Sequence, residues 1–197
     1  MTTLLLSPAD LRGRRSEVLV RSAAEFPLAL ALRDGRATLG EVFAFVSQLY
    51  FRGKLTYAGR FGGVVRVIVP GRGLLDPGMR VATEHVHAFA QVEVDPRTDA
   101  YRAPLIRDAR MLAEEVSGPV VLLGSISTGK YVEPLSTVLG DRLLAPRAFV
   151  GRGDMSRGSL LLRAAESGRE LEYAPVSALV PVRASRTSPS ARRGRRS

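Results

Sequence analysis

Two Gly-rich polar loops carry most of the side chains in this chain that could do chemistry. Val120-Val121-Leu122-Leu123 runs into Gly124-Ser125-Ile126-Ser127-Thr128-Gly129-Lys130-Tyr131, and Ala148-Phe149-Val150 runs into Gly151-Arg152-Gly153-Asp154-Met155-Ser156-Arg157-Gly158. A buried strand followed by glycines, hydroxyls and a cation presents backbone N–H groups and positive charge to an anion. The expected ligand is therefore phosphorylated, either nucleic acid or a small molecule. Candidate contacts on the loops are Ser125, Thr128 and Lys130, then Arg152, Asp154, Ser156 and Arg157. Cations at the two loop tips are expected to meet at one anion.

Of 29 basic side chains only Lys54 and Lys130 are lysines, and each follows a glycine. A lysine is a compact point charge with three donors, suited to a phosphate, and its pKa moves readily when buried. Lys54 stands in Arg52-Gly53-Lys54 between Tyr50 and Tyr57, a cationic aromatic patch. Arg72 in Pro70-Gly71-Arg72-Gly73 and Ser7 in Ser7-Pro8-Ala9 complete the candidate set.

Gly124 to Lys130 satisfies the G-x-x-x-x-G-K pattern of a P-loop. Tyr131, however, stands where a Ser or Thr hydroxyl would ligate magnesium, and the remaining chain is too short for an NTPase core. An anion site without magnesium chemistry is expected instead. His85 and His87 are the only histidines and there is no cysteine, so neither a metal site nor a cofactor is expected. No Ser-His-Asp or paired-carboxylate spacing is present.

The elements that must position these residues alternate. Ser16 can cap a helix through about residue 34, broken or kinked at Pro27. Thr38-Leu39-Gly40-Glu41 is a capping-box pattern opening a second helix, which Gly53 interrupts. Residues 64–69 are β-branched and read as a strand. A helix over 104–116, a strand over 120–124, a helix over 129–139, a strand over 147–150 and a helix over 155–166 follow. In such sheets, ligands sit beyond the carboxyl ends of the strands.

At 197 residues and 45% hydrophobic, the chain suits one α/β domain, residues 1–182, with a mixed or parallel sheet flanked by helices. Residues 183–197 hold six arginines and no acid, six of the ten net positive charges, and are expected to form a disordered basic tail able to bind polyanions. Leu4-Leu5-Leu6 is stopped at once by Ser7-Pro8, too short for a signal-peptide core or membrane span, which leads to the expectation of a cytoplasmic protein without a membrane partner.

Several landmarks recur in a known order: Leu4-Leu5-Leu6-Ser7-Pro8-Ala9, then Tyr50-Phe51-Arg52-Gly53-Lys54-Leu55, then Gly73-Leu74-Leu75-Asp76-Pro77, then Leu122-Leu123-Gly124-Ser125 with Tyr131, and last Arg152-Gly153 with Met155-Ser156-Arg157. In this order, nearly end to end, the chain resembles the YaaA-like peroxide-stress proteins, and the last motif is the most specific. The chain is shorter than typical members, residues 84–101 match the pattern poorly, and Gly129-Lys130 stand where the family has acidic or polar residues. The resemblance implies a compact α/β fold with a basic cleft, DNA binding and a role in limiting oxidative damage.

Two readings of function follow. In the first, Arg52, Lys54, Arg72, Lys130, Arg152 and Arg157 line a cleft for nucleic-acid phosphates and the tail adds non-specific affinity. In the second, the same cations hold the phosphate of a nucleotide or nucleobase substrate, with Asp154, Ser125 or Tyr131 near the chemistry. They part on whether a small pocket or an open groove lies between the loops. A plain α/β scaffold with no small ligand remains the third reading.

Overall fold

Apolar runs of three or four residues with no polar face, such as Leu4-Leu5-Leu6 and Val120–Leu123, must be covered from both sides, and these runs form the centre of a sheet. The computed structural model describes residues 2–179. Its elements in chain order are β1 (Thr2–Leu6), α1 (Arg14–Val20), α2 (Pro27–Arg33), β2 (Ala37–Thr38), α3 (Leu39–Phe61), β3 (Gly62–Val69), β4 (Gly73–Leu75) and β5 (Arg80–Val81). Then come α4 (Thr83–Ala90), α5 (Asp99–Glu115), β6 (Val120–Leu123), α6 (Gly129–Leu139), β7 (Leu143–Pro146), α7 (Asp154–Ser167), β8 (Tyr173–Pro175) and α8 (Val176–Leu179).

Six strands pair in the order β4-β3-β1-β6-β7-β8, and β2 pairs separately with β5. The four central strands are parallel, whereas β4 and β8 close the edges antiparallel, so the fold is α/β with a mixed sheet. Side chains alternate across the sheet. Leu4, Leu6, Val121 and Leu123 join the core beneath α1–α4 and α7, while Leu5, Val120 and Leu122 join the core beneath α5 and α6. The chain leaves β1 toward β3 on one side and later crosses to β6 on the other. Such a reversal opens a crevice beyond the carboxyl ends of the two strands that flank it, here β1 and β6.

α3 and α7 pack unusually close. A Cβ on Gly53 would lie 2.7 Å from the carbonyl oxygen of Gly158, and one on Gly158 would lie 2.9 Å from Leu49 O and from Tyr50 Cα. Gly53 therefore does not interrupt α3, as the sequence reading expects; it admits the neighbouring helix. The break falls instead at Gln48, whose φ of 49° and ψ of −122° make it the only non-glycine residue with positive φ among those described. The capping box opens α3 as expected, with Thr38 Oγ1 accepting from Glu41 N at 3.3 Å and Glu41 Oε2 accepting from Thr38 N at 2.8 Å.

Three boundaries differ from the sequence reading. The helix expected over 16–34 is broken before Pro27, as the proline suggests, but Ser16 does not cap it: Ser16 lies inside α1, whose cap is Gly13, and Pro27 opens α2, where its missing N–H costs nothing. The helix expected from Pro104 begins at Asp99 and carries the proline inside it. The last parallel strand is Leu143–Pro146, and the residues expected as strand, 147–150, begin with the 3-10 turn Arg147–Phe149. Phe149 is fully buried there while Val150 is exposed, so the apolar run that suggests a strand is one buried side chain in a turn. The Arg-rich tail lies outside the described residues. Among those described, no helix is long and apolar enough to cross a membrane.

Candidate functional site

β1 delivers Ser7 to the crevice. The Ser7 N–H donates to Leu123 O at 3.2 Å, which extends the β1–β6 ladder by one residue and fixes Ser7 beside Gly124. A Cβ on Gly124 would lie 2.9 Å from Ser7 Cβ and 3.2 Å from its Oγ, so only glycine leaves that side chain its place. From α3, Lys54 reaches the same point. Its Nζ donates to Ser7 O at 2.6 Å and to Ser7 Oγ at 2.9 Å.

Lys54 is 0% exposed, an unusual state for a lysine. Nζ lies 4.4 Å from the centroid of the Tyr50 ring and 4.6 Å from that of Phe51, whose faces favour a cation. Burial dominates and pushes its pKa down to about 7, with the negative charge of Asp154 acting in the opposite direction. Among the described residues no carboxylate pairs with it. Burial also raises the pKa of Tyr50, and it pushes Tyr131 up to about 12, so both phenols stay protonated at neutral pH. The buried Tyr50 hydroxyl makes no well-formed hydrogen bond, although the Arg157 guanidinium stands close enough to oppose the effect of burial on it.

Above Ser7 lies a cavity of about 260 Å³. The segment after β1 supplies Ser7, Asp10 and Arg12, and α3 supplies Ser47 and Tyr50. Phe89 and Val92 close one side, while Ser125, Lys130, Tyr131 and Asp154 close the other. Ser47 and Tyr50 flank the strained Gln48, so the break in α3 occurs where the helix borders the cavity; backbone strain of this kind tends to collect at functional sites. Arg157, 5% exposed, stands behind Asp154, holding its Oδ1 at 3.2 Å and donating to Phe149 O.

Of the residues singled out in the sequence, the fold brings Ser7, Ser125, Lys130 and Asp154 to the cavity wall, with Lys54 beneath and Arg157 behind. The others lie elsewhere. Arg72 borders a separate depression with His85 and Arg107, and Arg52 is exposed on α3. Thr128 lines a groove of about 930 Å³ between α6 and α8, which ends at residue 179. Arg152 Nη1 donates to Ser156 Oγ at 3.1 Å on the exposed start of α7. Lys130 and Arg152 therefore do not meet at a common cavity, because β7 ends at Pro146 and the turn after it sets Arg152 farther from the sheet edge than a strand ending at residue 150 would. The cavity wall holds two cations, Arg12 and Lys130, and two carboxylates, Asp10 and Asp154. Its charge is balanced, in contrast to the basic cleft that the resemblance implies.

The P-loop likeness has no counterpart in the geometry, since the Glu133 side chain folds against Gly129 so closely that a Cβ there would fall 1.9 Å from Oε1. A carboxylate thus sits beside the residue that would open a phosphate cradle. His85 Nδ1 accepts from Ala82 N at 3.0 Å and serves as a cap for α4. Sequence reasoning missed Asp10, Arg12, Ser47 and Phe89. Ser47 alone had a signal, lying one helical turn before Tyr50. Comparison with protein-family models, curated proteins and solved structures gives no match.

Proposed function

We propose that this protein is an enzyme acting on a nucleotide or nucleobase bound in the cavity beyond β1 and β6. One observation carries the reading: the polar groups converge on a pocket of about 260 Å³ that holds both signs of charge, rather than on an open basic groove. Enzyme sites are commonly concave, with a few convergent polar groups and perturbed titrations, and they favour the switch point of an α/β sheet. Lys130 and Arg12 suit a phosphate. Asp10 and Asp154 suit the donors of a base or ribose, and Phe89, Tyr50 and Tyr131 offer apolar and aromatic wall. The groove along α6 is larger, but neither Ser7 nor Tyr50, both in contact with Lys54, borders it.

A second reading, nucleic-acid binding of the YaaA-like kind, is favoured by the formal charge of +10 and the six arginines beyond residue 182. Thermal unfolding with nucleoside monophosphates, in the full chain and in a chain ending at Pro181, separates the two. The enzyme reading expects a saturable rise in Tm that survives the truncation. No rise with any monophosphate, together with salt-dependent duplex binding that needs the tail, would favour the second.

A further inference from the structure

We propose that Ser7 is a nucleophile and Lys54 its general base, and that the reaction in this cavity is acyl transfer to water from a carboxylic ester carried on a hydroxyl of the bound nucleotide. The proposal rests on the reading of the cavity as an active site and adds the bond that breaks. Three observations carry it. Ser7 is both a wall of the cavity and a partner of Lys54, its Oγ lying 2.9 Å from Nζ. Lys54 is wholly enclosed and has no carboxylate to pair with among the described residues, whereas a lysine kept only as a cation is expected to have one. Tyr50, 6% exposed and on the same wall, has a buried hydroxyl that makes no well-formed hydrogen bond and has the Arg157 guanidinium beside it.

A buried amine beside a serine hydroxyl can activate it without histidine or metal. With the amine neutral, one Nζ–H still donates to Ser7 O and the lone pair accepts the Ser7 Oγ–H. The Oγ attacks the ester carbonyl carbon, its proton passes to Nζ, and the carbonyl electron pair moves onto oxygen. The tetrahedral intermediate collapses with loss of the alcohol, which takes the proton back from the Lys54 ammonium. Water then attacks the acyl–Ser7 carbonyl and gives a proton to Nζ. That proton returns to Oγ as the acid leaves, so ester and water become acid and alcohol and the enzyme is regenerated. The Tyr50 hydroxyl, with the Arg157 guanidinium beside it, is a donor for the developing oxyanion.

The charged and titratable groups around the cavity and Lys54 are Asp154 and Arg157 on α7, Lys130 and Tyr131 on α6, Asp10 and Arg12 after β1, and Tyr50 on α3 itself; of these, Asp154 acts on the amine and favours its cation. Burial outweighs Asp154 and leaves the amine titrating near neutrality.

The test is labelling by diisopropyl fluorophosphate, in which a serine oxygen displaces fluoride from phosphorus, followed by intact-mass and peptide mass spectrometry. The full-length wild type should gain one adduct, on Ser7, at a rate that rises with pH through a single midpoint near 7. Ser7→Ala should gain none, and Lys54→Met should react at least a hundredfold more slowly. Absence of an adduct on Ser7 in the wild type overturns the proposal, as does a labelling rate unaffected by pH between 6 and 9. The wild-type profile decides the matter even if Lys54→Met fails to fold. A protein that shows no adduct yet rises in Tm with a nucleoside monophosphate would lose the nucleophile and keep the binding site.

Discussion

Replacing Lys54 by Met should flatten the dependence of stability on pH above neutrality. The side chain is wholly buried, so its displaced ionisation enters the stability without discount for solvent. Its pKa is about 7 in the folded chain against 10.5 for an ordinary lysine. Between these values the unfolded chain binds the proton and the folded chain does not, so stability rises with pH through this window. Below about 7 both states are charged and the folded protein bears the full cost of burying the cation. At about 1.4 kcal/mol per pH unit, the interval from pH 6 to pH 9 is worth about 3 kcal/mol. The faces of Tyr50 and Phe51 favour the cation and reduce this, to no less than about 1 kcal/mol if burial remains the larger effect. For a chain of this length, a gain of about 3 kcal/mol is about 6–12 °C in Tm. Urea titrations of wild type and Lys54→Met at several pH values measure it, since every other group contributes equally to both. Parallel curves for the two proteins would refute the reasoning and place the amine among ordinary charged lysines.

Three further outcomes follow from the geometry. Gly158→Ala should destabilise by about 1–3 kcal/mol, because its Cβ meets the backbone of Leu49 and Tyr50, and the clash exceeds the gain in helix propensity; denaturant unfolding checks this. Lys130→Ala should weaken binding of a nucleoside monophosphate by about 1–3 kcal/mol while Arg152→Ala leaves it unchanged, as measured by calorimetry, since only the first residue borders the cavity. Truncation after Pro181 should leave Tm within a few degrees of the full chain yet weaken salt-dependent binding of duplex DNA, because it removes six cations; melting and binding at two salt concentrations decide it.

The parallel core was legible because burial from both faces leaves strands as unbroken apolar runs, as at Leu4-Leu5-Leu6 and Val120-Val121-Leu122-Leu123. Thr38 with Glu41, and the limits of α6, were legible because their signals are local. β7 was not, since Phe149 and Val150 imitate a strand just after the real one ends. The break at Gln48 carries neither Gly nor Pro, and Gly53 serves a contact with a residue more than a hundred positions away. The same separation governs the site. Lys54 stands out by its type among arginines, but its partnership with Ser7 spans 47 positions and exists only because α3 packs across the carboxyl end of β1. Charge type alone did not show that Arg52 and Arg152 turn outward.

The most direct test of the cavity as an active site is a crystal structure of the protein grown with a nucleoside monophosphate. The phosphate should lie beside Lys130 and Arg12, with the base against Tyr50, Tyr131 and Phe89 and within reach of Asp10 or Asp154. A ligand bound only to outward arginines such as Arg52 or Arg152, with this cavity unoccupied, would contradict it.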